Sequence, residues 1–196
     1  MPAKPGNLRI VGGLWRGRTI RAGDNARIRP TSERTREALF DILAHAAPFR
    51  TEHGPMPRGI TVLDVFAGTG ALGLEALSRG AKHAVMLDND AGAATLIRGN
   101  IAKLEADDRA SVLQRDALNP GIGAHKALLV LLDPPYGSNL AAPALAALDA
   151  AGWIAPGATA VAELAVNEDL VPPNGFAVLD TRRYGKAKLI FLRREA

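Results

Sequence analysis

The 196-residue sequence contains no cysteine, and this absence excludes several kinds of site. Without a thiol, the chain can form no disulfide scaffold and has no cysteine nucleophile. It also cannot hold an iron–sulfur cluster or a zinc ion bound by cysteine. The four histidines are scattered without the spacing of metal ligands, so we expect no metal site.

Long apolar runs are missing as well. No run reaches the roughly 18 residues that a membrane-spanning helix requires. The start of the sequence lacks the apolar core of a secretory signal peptide, and we find no internal repeat. We therefore expect a cytoplasmic protein without a membrane partner. The length suits one domain with a short appendage and is sufficient for a substantial core.

The net charge of +4 is unevenly distributed along the chain. Residues 1–36 carry nine basic and two acidic side chains, whereas residues 37–180 carry nine basic and seventeen acidic ones. Residues 181–194 carry six basic side chains and no acidic one. Basic ends on an acidic body suggest a protein that grips a polyanion, although a solvated basic tail would have the same composition.

Apolar strand-like runs alternate with helical stretches from residue 60 onward. The predicted strands are 60–66, 84–90, 111–116, 128–136 and 158–165, and the predicted helices lie near 71–79, 91–105 and 141–151. Nearly continuous apolar strands alternating with helices favour a parallel sheet covered on both faces. Two further strands, 176–184 and 188–193, are joined by a link so short that they must form an antiparallel hairpin.

The N-terminal part has a different pattern. Apolar and β-branched residues with glycine turns predict a small β-hairpin over 8–20. A helix then begins at Thr31 or Ser32, either of which can cap it. We expect residues 1–30 to form a basic β-hairpin extension and residues 31–196 to form the main domain.

A glycine-rich loop follows the first strand of the main domain. Gly68, Gly70 and Gly73 satisfy the spacing G-x-G-x-x-G, in which glycine allows a tight turn and close approach to a ligand. The motif alone also fits a nicotinamide-dependent oxidoreductase. Asp64, four residues before Gly68, would repel a pyrophosphate and suits a cationic or amine-bearing ligand. The alternative for Asp64 is a residue that only caps the loop.

Acidic residues also end the next two predicted strands. Asp88 is placed to accept hydrogen bonds from both hydroxyls of a ribose, or else it is only a surface residue. Asp116 is placed to bind an adenine amine, or else it only ends its strand. A nucleoside with an amine and a sulfonium but no phosphate fits Asp64 and Asp88, and S-adenosylmethionine is such a molecule. The predicted cofactor-binding residues are Asp64, Phe66, Gly68, Gly70, Asp88, Asp116 and Ala117.

The tetrapeptide Asp133-Pro134-Pro135-Tyr136 follows the strand at 128–132, on the same edge as the glycine loop. The prolines remove two N–H donors, so the segment presents a carboxylate and carbonyl oxygens as acceptors. Such acceptors can hold the N–H groups of a nucleobase amine and point its lone pair at an electrophilic methyl group. Tyr136 can stack on the base. The alternative is a rigid turn with an aspartate cap.

The motifs DVFAGTG at 64–70 and LLDPPY at 131–136 resemble the class I S-adenosylmethionine-dependent methyltransferases that modify nucleobase amines. Segments 9–13, 17–18 and 29–43 are similar to the RsmD-type guanine-N2 methyltransferases of bacterial small-subunit ribosomal RNA. This resemblance covers nearly the whole chain. It implies an α/β Rossmann-like fold with a seven-stranded, mostly parallel sheet, an antiparallel C-terminal hairpin and an N-terminal β-hairpin. It also implies catalysis by Asp133 to Tyr136.

The resemblance further implies an RNA substrate within a partly assembled ribosomal subunit. Helix N-termini and arginines attract phosphates, so the basic N-terminal residues are the candidate contacts. The predicted RNA-contacting residues are Arg16, Arg18, Arg29, Thr31, Arg34 and Arg36. No extra oligomerisation element is evident, and we expect a monomer.

Three other functions fit parts of this pattern. A DNA or RNA adenine-N6 methyltransferase uses the same kind of four-residue motif, but the sequence shows no separate DNA target-recognition domain. An oxidoreductase has only the glycine spacing in its favour. A non-catalytic RNA-binding or assembly factor would not need the intact motif from Asp133 to Tyr136.

Overall fold

The computed structural model of the chain describes residues 7–23 and 32–195. Apart from two short strands within residues 50–55, which the sequence did not predict, the helices and strands follow the predicted order, with boundaries that shift by a few residues. In chain order they are β1 (Asn7–Arg9), β2 (Thr19–Arg21), α1 (Glu33–His45), β3 (Arg50–Thr51), β4 (Gly54–Pro55), β5 (Thr61–Val65), α2 (Ala71–Ser78), β6 (His83–Asp88), α3 (Ala91–Leu104), β7 (Ala110–Gln114), β8 (Ala127–Leu132), α4 (Ala141–Ala150), β9 (Ile154–Ala165), β10 (Phe176–Tyr184) and β11 (Ala187–Arg194).

Seven of these strands form one sheet in the order β10-β11-β9-β8-β5-β6-β7. Strands β5 to β9 are parallel, whereas β11 runs antiparallel to both β9 and β10. The predicted mostly parallel sheet with an antiparallel C-terminal hairpin is therefore confirmed. After β7, at one edge, the chain crosses over to β8 on the other side of β5. In open α/β sheets such a reversal of strand order opens a crevice beyond the carboxyl ends of the strands.

Successive residues of each central strand face opposite sides of the sheet. On β5, Val62 packs into a layer with α1, α2, α3 and the β1–β2 hairpin, whereas Leu63 packs into a layer with α4. On β8, Leu131 belongs to the first layer and Leu132 to the second. Because both faces are covered, the central strands are nearly continuous apolar runs. No helix within the described ranges is both long and apolar enough to span a membrane.

The predicted N-terminal hairpin forms as β1 and β2 and packs against α2 and α3. The Trp15 N–H donates to Ser78 Oγ at 2.9 Å, and the Arg21 N–H donates to Asn100 Oδ1 at 2.8 Å. At the turn, Gly13 has a φ of +75°, and a Cβ there would lie 2.0 Å from the Ser78 carbonyl oxygen. Only glycine permits this close approach. The hairpin therefore packs directly on the main domain, and its apolar residues belong to the same core.

A buried ion pair joins the hairpin, α1 and α2. Glu75 of α2 has no exposed surface, and its Oε2 accepts a hydrogen bond from the Val11 N–H at 2.8 Å. Its carboxylate lies 3.5 Å from Arg36 Nε of α1 and 2.8 Å from Arg79 Nε. Burial lowers the pKa of Arg36, and the adjacent Glu75 carboxylate opposes that shift. Glu75 therefore offsets the cost of burying the Arg36 charge.

We expect Glu75→Ala to lower the free energy of unfolding by about 3–5 kcal/mol, because it leaves the Arg36 guanidinium buried without its counter-charge. Urea denaturation measures this loss. Glu37→Ala, at an exposed position of α1, is the matched control and should change stability little. A Glu75→Ala loss below about 1 kcal/mol would show that the pair is unimportant for the fold.

Candidate active site

A cavity of about 710 Å³ lies at the carboxyl ends of the parallel strands, beside the crossing between β5 and β8. Its walls come from the start of α1, the loops after β5, β6 and β8, strand β9 and the β10–β11 hairpin. The lining residues are Ser32, Thr35, Asp64, Phe66, Ala67, Gly68, Thr69, Ala71, Leu72, Asp88, Asn89, Asp90, Ala93, Asp133, Pro134, Pro135, Tyr136, Glu163, Tyr184, Lys186 and Ala187.

The glycine loop between β5 and α2 is tightly packed. Gly70 has a φ of +76° and immediately precedes α2. A Cβ on Gly73 would lie 2.9 Å from Met86 Cε and 3.1 Å from Asp64 Oδ2. Phe66 adopts a φ of +60°, a left-handed conformation that costs a non-glycine residue about 1–3 kcal/mol. Such strain is typical of a loop whose shape is set by a ligand.

Asp64 lies at the base of this loop and is only 1% exposed. Its Oδ2 accepts a hydrogen bond from the Gly73 N–H at 2.8 Å, whereas Oδ1 has no hydrogen-bond partner among the described residues. Burial raises the pKa of Asp64 well above its ordinary value, the Gly73 N–H opposes this, and Asp133 and Asp88 add to the rise. A positively charged or amine-bearing ligand would satisfy Oδ1 and favour the ionised form.

Asp88 ends β6 and holds the neighbouring loops. Its Oδ2 accepts a hydrogen bond from the Gly68 N–H at 2.8 Å, and its Oδ1 accepts one from the Asp90 N–H at 3.0 Å. A carboxylate has about four lone-pair sites, so acceptor capacity remains for the hydroxyls of a ligand. Asp90 caps α3 by accepting a hydrogen bond from the Ala93 N–H at 2.7 Å. The two acids therefore have separate roles.

Three predicted cofactor-binding residues do not line the cavity. Asp116 is exposed, and its Oδ1 accepts a hydrogen bond from the Leu118 N–H at 2.9 Å, which closes the turn after β7. Ala117 is buried beside it, and Gly70 is buried at the start of α2. The other four, Asp64, Phe66, Gly68 and Asp88, all line the cavity.

The segment from Asp133 to Tyr136 lines the cavity along its whole length. The Asp133 N–H donates to the Val65 carbonyl at 3.3 Å, which ties the segment to β5. Glu168 ties its far end to β9, since its carboxylate accepts hydrogen bonds from the N–H groups of Gly137 and Ala165. The main chain that carries the Asp133 carboxylate and the proline carbonyls is therefore held by hydrogen bonds at both ends.

Strand register brings Asp133 beside a second carboxylate. Because Leu132 pairs with Ala162, Asp133 lies next to Glu163 of β9. Alternation from Leu131 and from Val161 places both side chains on the α1 face of the sheet, as it does for Asp64. Glu163 is 5% exposed, and the Tyr136 O–H donates to its Oε1 at 3.3 Å. Glu163 is not among the residues predicted from the sequence, although a lone acid among mostly apolar strand residues is a signal for such a role.

The predicted RNA-contacting residues that the structure describes include both exposed and buried side chains. Arg16, Arg18 and Arg34 are exposed, and none of them lines the cavity. Arg36 is buried against Glu75 and donates a hydrogen bond to the Arg9 carbonyl, so it is not placed to contact a phosphate. The helical period explains this position, since residue 36 shares the buried face of α1 with Leu39, Phe40 and Leu43. Arg29 and Thr31 lie outside the described residues.

The start of α1 contributes two hydroxyl groups to the cavity. Ser32 caps the helix by accepting a hydrogen bond from the Thr35 N–H at 3.0 Å, and its hydroxyl lies 2.7 Å from that of Thr35. In the described part of the chain, no group of three or more potential metal ligands is present. The cavity lining therefore combines acidic acceptors, hydroxyl groups, the aromatic rings of Phe66, Tyr136 and Tyr184, and the basic side chain of Lys186.

The chain matches one protein-family model and relatives that share one name. The family model "Conserved hypothetical protein 95" matches residues 8–193. The chain is 37% identical over 174 residues to "Ribosomal RNA small subunit methyltransferase D" of Escherichia coli K12, covering 86% of this chain and 81% of that protein. It is 33% identical over 189 residues to the protein of the same name from Haemophilus influenzae, covering 94% and 92% of the two chains.

Solved structures agree with this picture. The structure "Putative methyltransferase yhhF from Escherichia coli" is similar with a TM-score of 0.83 and 32% identity, covering 97% of this chain and 99% of that one. A ribosomal protein L11 methylase from Lactobacillus delbrueckii shares the fold with a TM-score of 0.61 at 16% identity, covering 85% and 81%. The fold is therefore that of the class I methyltransferases.

We expect Asp64 to make stability depend on pH. Above about pH 3.8 the unfolded chain ionises this carboxyl, whereas the folded chain keeps it protonated up to its raised pKa. The unfolded state then binds fewer protons, so the free energy of unfolding falls as pH rises through this window. Asp64→Asn keeps an acceptor for the Gly73 N–H, cannot ionise and should remove this contribution.

Urea denaturation of both proteins at intervals between pH 4.5 and 8 measures the difference. The wild-type free energy of unfolding should decline relative to that of Asp64→Asn as pH increases. Parallel curves for the two proteins would mean that the Asp64 pKa is not raised.

Proposed function

Because the chain belongs to the conserved hypothetical protein 95 family, we propose that it methylates the exocyclic N2 amine of a guanine in small-subunit ribosomal RNA. It is a methyltransferase with the class I fold, and S-adenosylmethionine is its methyl donor. One observation best supports an amine as the methyl acceptor. A single cavity contains both Asp64, whose buried Oδ1 has no hydrogen-bond partner among the described residues, and the segment Asp133 to Tyr136, which is rich in hydrogen-bond acceptors.

The residues on the β5 and β6 side of the cavity fit the cofactor. When bound, S-adenosylmethionine supplies a methyl group activated on a positively charged sulfur. Asp64 Oδ1 is available for the ligand's ammonium group, and the fixed carboxylate of Asp88 suits the ribose hydroxyls. The close-packed loop at Phe66 and Gly68 lines this side of the cavity and would let the backbone approach the ligand.

The residues on the β8 side would prepare the acceptor amine. A nucleobase amine is a weak nucleophile because its lone pair is delocalised into the ring. Asp133 and the Pro134 carbonyl would accept hydrogen bonds from its N–H groups and so favour a more pyramidal nitrogen. Tyr136 would stack on the base, and the Asp133 carboxylate would take the proton that the amine releases. No covalent intermediate with the protein is needed.

Exposed basic residues would hold the RNA outside the cavity. Arg34 is exposed next to the cavity-lining Thr35, and Lys186 of the β10–β11 hairpin lines the cavity. Arg16 and Arg18 are also exposed, but their hairpin turn packs at the C-terminal end of α3, where Arg18 donates to the Lys103 carbonyl, so they would reach only RNA that extends beyond the cavity. Cations that flank a pocket of acceptors separate two tasks, since phosphates bind at the rim and the base enters the pocket. A partly assembled ribosomal subunit remains the proposed form of the substrate.

The proposal is tested by identifying the methylated nucleoside. Purified protein is incubated with labelled S-adenosylmethionine and unmodified small ribosomal subunits, and the RNA is digested to nucleosides. Label is expected in N2-methylguanosine. Label in N6-methyladenosine would support an adenine-N6 methyltransferase instead, and no label in any nucleoside would favour an assembly factor without catalysis.

Two variants separate the two sides of the cavity in this assay. Asp133→Ala should lose about two or more orders of magnitude in turnover but keep its affinity for S-adenosylhomocysteine, because it removes only the amine acceptor. Asp88→Ala is the matched control and should weaken S-adenosylhomocysteine binding measured by calorimetry. Normal turnover by Asp133→Ala would contradict its assignment.

A further inference from the structure

We infer that Glu163 is the residue that selects guanine over adenine, by accepting a hydrogen bond from the ring N1–H beside the target amine. The inference rests on the proposed function, since it concerns the base that enters the same cavity. It assigns to Glu163 a specificity that neither the glycine loop nor the segment from Asp133 to Tyr136 provides. Those elements suit any nucleobase amine.

Glu163 lies beside the residue that is proposed to hold the target amine. It follows Val161 by two residues on β9 and is adjacent in register to Asp133, the residue proposed to hold the target amine. Both side chains lie on the same face of the sheet and line the same cavity. A base whose amine is held by Asp133 therefore presents the neighbouring atoms of its ring edge toward β9.

Glu163 is also shielded from solvent. The residue is 5% exposed and is the one acidic residue of β9, so water competes little for its carboxyl oxygens. The Tyr136 O–H donates to Oε1 and fixes the direction of the side chain. A carboxylate held in this way forms stronger hydrogen bonds than one in water, because the local dielectric constant is low.

The chemistry of the two bases provides the discrimination. In guanine, the N2 amine is next to the N1–H, which is a donor. In adenine, the ring nitrogens on both sides of the N6 amine are acceptors. An ionised carboxylate is only an acceptor, so it attracts the guanine edge and repels the adenine edge. Glu163 thus adds one favourable contact for guanine and one unfavourable contact for adenine.

The base analogue 2-aminopurine tests this role directly. It keeps the target amine, but its ring N1 is an acceptor, as in adenine. The target guanine, once identified, is replaced with 2-aminopurine by ligating a synthetic oligonucleotide into the small-subunit RNA, and kcat/KM is measured for both substrates. We expect the wild type to prefer guanine by about 10- to 100-fold, the range of one charge-assisted hydrogen bond.

Glu163→Gln should bring this ratio close to one. The amide oxygen still accepts from the guanine N1–H or from Tyr136, and the amide N–H can donate to the bare N1 of 2-aminopurine. Tyr136→Phe removes the hydrogen bond to Glu163 but leaves the carboxylate. It should slow both substrates and lower the guanine preference much less than Glu163→Gln does, because the carboxylate remains although its direction is less fixed.

Three results would overturn the inference while leaving the proposed function intact. These are a wild-type ratio near one, a Glu163→Gln ratio equal to that of the wild type, and a Tyr136→Phe ratio that falls as far as that of Glu163→Gln. The first of these does not depend on whether any variant folds. Failure of the wild type to methylate guanine in RNA is a different result, since it would overturn the proposed function itself.

Discussion

The Asp64 carboxylate is buried at the carboxyl end of β5, where the order of the strands reverses. One of its oxygens is held by the Gly73 N–H, and the other has no hydrogen-bond partner among the described residues. A buried carboxyl of this kind is costly in the absence of a ligand and becomes favourable beside a cation. The tight glycine loop, the strained Phe66 and the cavity itself are consistent with a fold arranged around that unsatisfied group.

The acidic body of the chain has two uses that net charge alone cannot separate. Glu75 stabilises the interior by pairing with Arg36, whereas Asp64, Asp88, Asp133 and Glu163 line the cavity. Cavity acids are separated from the exposed arginines of the hairpin and α1. Under the proposed function, this separation would let the cationic cofactor and the target amine enter the acid-lined cavity while the RNA is held outside it.

Sequence patterns predicted the strand and helix order well, because continuous apolar strands and capped helices depend on local chemistry. They also predicted that Asp64, Asp88 and the segment from Asp133 to Tyr136 share one edge of the sheet, and all of these residues line the cavity, since a strand end is a topological position that the sequence reveals. They were less informative where a side chain's direction decides its role. Asp116 closes a turn, as aspartate often does after a strand, and this cannot be distinguished from ligand binding without the fold.

Arg36 and Glu163 also show that local sequence does not determine the direction of a side chain. Arg36 was predicted to contact RNA and is buried, whereas Glu163 was not predicted and lines the cavity. Arg36 belongs to a basic cluster in the sequence, but the period of α1 turns it inward to a partner that lies 39 residues away on α2. Glu163 is hidden in an apolar strand, and only its register with β8 places it beside Asp133. Contacts between distant segments determine both positions, so neither follows from local sequence.

The central claim is that burial raises the pKa of Asp64 and that a cationic ligand beside Oδ1 lowers it again, and proton release on binding tests this most directly. Calorimetric titration of S-adenosylhomocysteine is performed between pH 5 and 7, where the ligand's ammonium group remains protonated, in two buffers with different ionisation enthalpies. The ammonium should lower the pKa of Asp64, so the wild type should release protons on binding and Asp64→Asn should release fewer. Equal proton release by the two proteins would contradict the account.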